Sequence, residues 1–348
     1  SLVSNNAFSM QLATGQQVSV QSDQTLLDAL EQAGFLMRKS CRNGVCEICE
    51  IQLQRGSVRQ RYPQAIIDNN NAAKTVSVLA CTATPLTDIW VNIDGLKAPG
   101  EQSVKKLVCD IKGIESLNHD VYRVRLQLPA TGSLAIEFTA GQYLDVILPD
   151  GKQASFSIGS APEQGRDLEL HIRHMPDSDM SNAIMAHLQN EKTVELELPK
   201  GDCCLAAKTL SPDTHFIFAA ASTGFAQVKS VVEHLLANQV SNKISIYWGA
   251  RIEDDMYLER LPQQWETEHA NVNFVPVVSE PENSPNWQGR TGLLPEAVLE
   301  DFADFNGVEI FASGSPAMVY ALLDAAETRG FNEAQMHSDV FAYAPRTK

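Results

Sequence analysis

The sequence predicts a multidomain protein of α+β and α/β class, in which a small first module precedes an antiparallel barrel and a doubly wound parallel sheet. Three observations predict it. The chain has 348 residues, enough for two or three domains of about 100–200 residues. Its charge is stepped: residues 1–100 hold eight basic and eight acidic side chains, so the whole net charge of −16 falls on the remainder. Separate modules give such a step, and so does an acidic solvated face with no partner. The hydrophobic pattern also changes along the chain, from short alternating strands to continuous apolar runs that alternate with helices.

The excess of carboxylates repels polyphosphate backbones and anionic membrane surfaces, so neither nucleic acid nor membrane insertion is expected. No apolar run approaches the roughly 18 residues of a spanning helix, and the opening residues lack the layout of a signal peptide. A soluble cytoplasmic protein is the expectation. Seven cysteines, three of them between Cys41 and Cys49, fit metal or redox chemistry better than a secreted disulfide framework. The Pro, Gly and polar stretch from Leu96 to Lys106 reads as a linker, and Ser211-Pro212-Asp213 marks a second break. The expected boundaries are 1–96, a linker at 97–106, then 107–208 and 209–348.

In the first module, Leu26, Leu27, Leu30 and Ala33 recur at helical spacing, with Asp23 as the expected N-cap and Gly34 as the stop. Cys41, Cys46 and Cys49 then form Cys-x4-Cys-x2-Cys, and Cys81 follows with 31 residues between it and Cys49. A two-iron cluster needs two thiolates on each iron, and the loop Arg42-Asn43-Gly44-Val45 can turn backbone N–H groups toward the sulfurs. A structural zinc site favours two Cys-x2-Cys knuckles, and only one is present. The segment from about residue 5 to 95 resembles a plant-type [2Fe–2S] ferredoxin. The resemblance implies a β-grasp fold and makes Cys41, Cys46, Cys49 and Cys81 the metal ligands. Glu47 departs from the small residue usual there, and Arg38, Lys39 and Arg42 imply a basic electron-exit face.

The second module reads as short strands with one helix, Ser181–Gln189, before the last of them, a pattern for an antiparallel barrel. Gly141-Gln142-Tyr143 falls on one of these strands and Ala154-Ser155-Phe156-Ser157 on the next. On these motifs, and together with the third module, this module resembles the flavin domain of the ferredoxin–NADP reductase superfamily. The resemblance implies FAD, with Phe156 covering the flavin and Ser157 bonding near the nitrogen that accepts hydride. Tyr143, Ile158, Arg173 and Ser181 join them as binding residues. Two departures weaken the hold on phosphate: Ala154 stands where the family has Arg, and Asp177-Ser178 where it has Gly-Gly. Arg173 is the residue able to compensate; a solvated surface arginine is the alternative reading.

In the third module, continuous apolar runs alternate with helices, which argues for a parallel sheet that binds ligand at the strand carboxyl ends. Thr223-Gly224-Phe225, Gly249 with Arg251, and Ser313-Gly314-Ser315-Pro316 follow the order of the reductase family, which implies NAD(P)H binding. Ser313 replaces the family's Cys near the nicotinamide. Ser279 is followed by Glu280 where NADP-specific members carry Arg, and a carboxylate repels a ribose phosphate, so NADH is expected over NADPH. Asp339, Phe341 and Tyr343 in the tail are candidates for the nicotinamide–flavin interface, with C-terminal packing as the alternative. Ser157, Ser313 and Asp339 are the catalytic candidates. Cys109, Cys203, Cys204 and the histidines show no ligand spacing and read as structural.

The whole chain resembles a three-part iron–sulfur flavoprotein reductase of the kind that serves oxygenases and CDP-6-deoxyhexose dehydration. That implies electron flow from NADH through FAD and the [2Fe–2S] cluster to a protein acceptor, an oxygenase or dehydrase component. An electron carrier with a degenerate reductase half and a reductase of free flavin are the alternatives.

Overall fold

The computed structural model describes residues 6–37, 49–99, 104–130 and 137–347. The chain divides into two compact units, Ser1–Gln102 and Ser103–Lys348.

The first unit runs β1 (Ala7–Leu12), β2 (Gln17–Gln21), α1 (Leu26–Gln32), β3 (Glu50–Gln60), β4 (Ala65–Asn69), β5 (Val76–Leu79), β6 (Ala83–Pro85) and β7 (Ile89–Asn92). Its sheet has the order β2-β1-β7-β3-β4, with β5 and β6 also on β3. The first and last strands pair in parallel and their other neighbours antiparallel, and α1 covers the sheet with Leu26, Leu27, Ala29 and Leu30 buried. This is the β-grasp arrangement. The helix is capped by Thr25, whose hydroxyl accepts the Asp28 N–H at 3.1 Å, and not by Asp23. Both residue types cap well, but only Thr25 directly precedes the first helical turn. Beyond the helix end, Gly34 has φ +83°.

The second unit opens with β8 (Lys105–Ser116), β9 (Val121–Gln127), β10 (Tyr143–Ile147), β11 (Gln153–Ser157), β12 (Asp167–Arg173), α2 (Asp179–Asn190) and β13 (Thr193–Lys200). The strands form an antiparallel sheet in the order β11-β10-β13-β8-β9-β12. It curls until the residues just after β11 meet β12, where the Gly159 N–H donates to the Glu169 carbonyl at 2.7 Å. Inward-facing Leu144, Val146, Leu170, Leu196 and the helix residues Ile184 and Leu188 fill it.

The remainder is β14 (His215–Ala221), α3 (Phe225–Ala237), β15 (Ile244–Ala250), α4 (Arg260–Glu268), β16 (Val272–Val278), β17 (Arg290–Thr291), α5 (Leu294–Asp301), β18 (Val308–Ser313), α6 (Pro316–Glu327), β19 (Met336–His337) and α7 (Val340–Tyr343). All six strands are parallel, in the order β17-β16-β15-β14-β18-β19. The chain winds outward one way from β14 and the other way from β18, so the crevice between their carboxyl ends is a topological switch point where ligands bind in such folds.

Candidate functional site

At that switch point the curled sheet and the parallel sheet share a cleft of about 760 Å³. The barrel contributes Tyr143, Phe156, Ser157, Gly201 and Cys203; the β18 end contributes Ser313 and Gly314; the tail contributes Ser338, Asp339 and Tyr343. Ser157, Ser313 and Asp339, singled out from three distant stretches of sequence, therefore line one space. Its wall depends on close backbone packing. Gly141 has φ +105°, and a Cβ there would meet the Cys203 carbonyl at 2.5 Å. Gly224 approaches the other side so closely that a Cβ would sit 2.2 Å from the Ser313 carbonyl oxygen.

Gln227 on α3, which the sequence did not single out, ties this cleft together. Its Nε2 donates to the Gly141 carbonyl at 2.7 Å and to Asp339 Oδ2 at 3.1 Å, joining barrel, parallel-sheet helix and tail. A buried glutamine on the first turn of the helix, next to the Thr223–Gly224 turn, is a position that burial reveals and sequence spacing does not. Burial lifts the Asp339 carboxyl to about 6; the Gln227 hydrogen bond opposes the rise and the charge of Asp202 adds to it.

The other candidates fall elsewhere. Ile158 has no exposed surface and belongs to the barrel core. Phe225 is likewise fully buried, stacked on Trp248 with centroids 3.9 Å apart, and supports the Thr223–Gly224 turn from beneath. Ser181 bonds locally: its hydroxyl accepts the Met175 N–H at 2.8 Å, and its own N–H donates to the N-cap Ser178. Pro316 occupies the first turn of α6, and Phe341 packs 5.7 Å from the Tyr320 ring. Ala154 is half-buried on the edge strand β11 and packs against the barrel core.

A second cleft of about 340 Å³ opens along the carboxyl ends of β14, β15 and β16. Ser222, Gly249, Arg251 and Ser279 line it, as do Asp120 and Arg173 from the barrel. Arg173 donates to Asp120 at 2.8 Å and is 40% exposed, so it faces this cleft and not the one holding Ser157. Glu280 follows Ser279 and is held beside Arg251 by its N–H bond to the Arg251 carbonyl, 2.9 Å.

Between the clefts the two halves of this unit are joined by a buried polar chain. Lys229 on α3 reaches Glu169 on β12 at 3.1 Å, Glu233 at 3.0 Å and the Gly159 carbonyl at 3.2 Å. His171 sits 2.7 Å from Glu169 and 2.7 Å from the Tyr257 hydroxyl. Burial lowers the pKa of His171, so it is neutral: Tyr257 donates to Nδ1 and Nε2–H donates to Glu169. Burial alone would raise Glu169, but the His171 hydrogen bond and the Lys229 ammonium overturn it and hold the carboxyl at about 2.

In the first unit, Cys49 and Cys81 are buried with their sulfurs 2.7 Å apart. Two soft donors meeting beneath the start of β3 suit an iron–sulfur group. Cys41 and Cys46 lie outside the described residues, as do Arg38, Lys39, Arg42 and Glu47.

A β-grasp unit with paired thiols, a curled antiparallel sheet and a parallel nucleotide sheet define an iron–sulfur flavoprotein reductase. Comparison with known proteins agrees. A 2Fe-2S iron-sulfur cluster binding domain matches residues 11–86, an oxidoreductase FAD-binding domain 108–204 and an oxidoreductase NAD-binding domain 218–323. The chain is 33% identical over 325 residues to protein RfbI of Salmonella typhimurium, covering 93% of each. It is 31% identical to the CDP-6-deoxy-L-threo-D-glycero-4-hexulose-3-dehydrase reductase of Yersinia pestis, over 91% of this chain and 93% of that one. It is 30% identical to reductase component 2 of the terephthalate 1,2-dioxygenase of a Comamonas species, over 92% and 93%. Among solved structures, an Amycolatopsis cytochrome P450 reductase superposes with a TM-score of 0.62 at 26% identity, covering 95% of this chain and 98% of that one. The chain belongs to this family of ferredoxin-fused FAD- and NAD-dependent reductases, and it is an NAD(P)H-dependent oxidoreductase that passes electrons through FAD and a [2Fe–2S] cluster.

Proposed function

We propose that this chain takes hydride from NADH in preference to NADPH and delivers single electrons to an oxygenase or dehydrase component. The observation that carries the reading is the convergence of Ser157, Ser313 and Asp339 on one cleft at the switch point. When bound, FAD converts a two-electron hydride into single electrons and the [2Fe–2S] cluster, held by Cys41, Cys46, Cys49 and Cys81, carries them singly.

The chain's own groups set the conditions for that chemistry. Tyr143 and Phe156 offer aromatic surface to a planar ring, and the hydroxyls of Ser157 and Ser313 offer donors and acceptors near its reacting edge. Asp339, with a carboxyl near 6, holds a proton through the weakly acidic range, and Gln227 keeps it aimed at the cleft. Gly224 lets the turn before α3 approach β18 closely enough to seat a nucleotide between them. Glu280 beside Arg251 disfavours a ribose phosphate at the neighbouring cleft. Ala154 and Asp177 leave the flavin phosphates without a cation from those positions, which points to a weaker hold on FAD.

The test is steady-state ferricyanide reduction with each nucleotide, at saturating FAD. A kcat/KM for NADH at least tenfold above that for NADPH supports the reading; equal values or a preference for NADPH overturn it.

A further inference from the structure

The outer face of the first unit carries arginines and apolar side chains in one stripe. Along β3, Val58 and Gln60 are buried while Arg55, Arg59 and the following Arg61 are exposed. Ile66, 62% exposed, lies abreast of Arg59 across the β3–β4 pairing. Trp90 lies abreast of Arg55, with the guanidinium 4.8 Å from its ring centroid. Tyr62 is 57% exposed and takes the Arg61 guanidinium at 5.7 Å. Among the described residues, the arginines in ion pairs are Arg123, Arg173, Arg290 and Arg346, so this stripe keeps its positive charge available. Two carboxylates on or next to neighbouring strands bond locally and form no ion pair with these arginines: Asp68 accepts from the Ser57 hydroxyl and Asp88 accepts the Ser9 N–H at 2.8 Å.

This stripe is stitched to the Cys81 turn. The Arg61 N–H donates to the Thr82 carbonyl at 3.0 Å, the Thr82 hydroxyl donates to the Tyr62 carbonyl at 3.1 Å, and Gln60 Oε1 accepts the Leu79 N–H at 2.8 Å. A short bonded path thus runs from a buried thiol to an exposed Arg–Tyr corner. Arginine and aromatic side chains together are the composition of the energetically dominant parts of protein interfaces.

We propose that the Arg59–Arg61–Tyr62 corner is where the protein electron acceptor docks, through a surface of carboxylates around an apolar centre. The proposal rests on the reading that Cys81 helps to hold the cluster. Each encounter passes one electron, reducing a one-electron acceptor such as a ferric haem to ferrous; the two electrons of one NADH, which leaves as NAD⁺, serve two encounters.

The probes are cytochrome b5, an acidic haem protein, and cytochrome c, a basic one. Binding of each to the full-length protein is measured by calorimetry at low salt, and haem reduction is followed by stopped flow after the cluster has been reduced chemically, with no NADH present. The Arg59→Glu/Arg61→Glu protein is compared with wild type, with Arg59→Gln/Arg61→Gln as the milder variant. Expected are binding and reduction of cytochrome b5 weakened about tenfold or more by charge reversal, an intermediate loss for the glutamine variant, and improved reduction of cytochrome c. NADH–ferricyanide activity stays unchanged. Equal binding of cytochrome b5 by all three proteins overturns the docking site, whatever NADH does. A wild type that binds the probe but whose cluster NADH fails to bleach overturns the reductase reading and leaves the docking site standing.

Discussion

Lys229→Met removes the cation from the buried chain that joins barrel and parallel sheet, and the structure sets its cost. Glu169 is held at about 2 against an ordinary 4.5. At about 1.4 kcal/mol per pH unit, that is about 3 kcal/mol of preference for the ionised carboxylate in the folded state. A carboxylate depressed in this way contributes stability that is fully present above its unfolded pKa and is lost as pH falls from about 4.5 toward 2. Without Lys229, burial acts on Glu169 opposed only by neutral His171 and by the more distant Arg123 guanidinium, 3.9 Å away, and a buried pair broken on one side costs about 3–5 kcal/mol. The expected loss at pH 7 is about 3 kcal/mol, or roughly 6–12 °C in Tm for a unit of this size. Urea unfolding followed by the fluorescence of Trp248 and Trp265, both buried in this unit, measures it. At pH 4 the difference shrinks, because Glu169 in the variant is then protonated in folded and unfolded chains alike. A loss below about 1 kcal/mol at pH 7, or one of equal size at both pH values, would show that the Lys229–Glu169 pair does not carry this stability.

Three further outcomes are expected. Ala154→Arg supplies a charged hydrogen bond worth about 1.5–3 kcal/mol and tightens FAD roughly 10- to 100-fold; an unchanged dissociation constant, measured by ultrafiltration, shows that this edge-strand position does not face the flavin phosphates. Asp339→Asn removes an inflection near pH 6 from the NADH–ferricyanide rate profile, since Asp339 changes charge there; because burial makes the ionised form unfavourable, the variant also gains stability over wild type as pH rises from about 4 through 6. Glu280→Arg raises kcat/KM for NADPH about tenfold or more by exchanging a repelled phosphate for a paired one; retention of the wild-type ratio of the two nucleotides removes Glu280 as a source of the specificity.

The parts of the fold legible in the sequence were those with strong periodicity. Val228, Val231, Val232 and Leu235 mark one buried side of α3, and the apolar runs of β14 and β15 are strands buried on both faces. α4 did not announce itself because Arg260–Glu268 buries only Pro262 and Trp265 and carries a proline in its first turn. β17 and β19 are two residues each, too short for any period to register. Within the site, family spacing brought Ser157, Ser313 and Asp339 forward. It did not separate Phe225, whose ring stacks under Trp248, from the half-buried turn residues beside it, because adjacency in a motif carries no information about burial. Gln227 and the Lys229–Glu169–His171–Tyr257 chain bind across long sequence separations. Their partners exist only once the barrel and the parallel sheet have come together.

Internal electron flow from nicotinamide to cluster is what makes this chain a reductase, and an anaerobic NADH titration of the iron-reconstituted, FAD-loaded protein reads that flow without any acceptor. Bleaching of both the flavin and the cluster absorption bands, complete at about the stoichiometry of electrons the two groups accept, is the expected result. A cluster band that persists while the flavin band bleaches contradicts it.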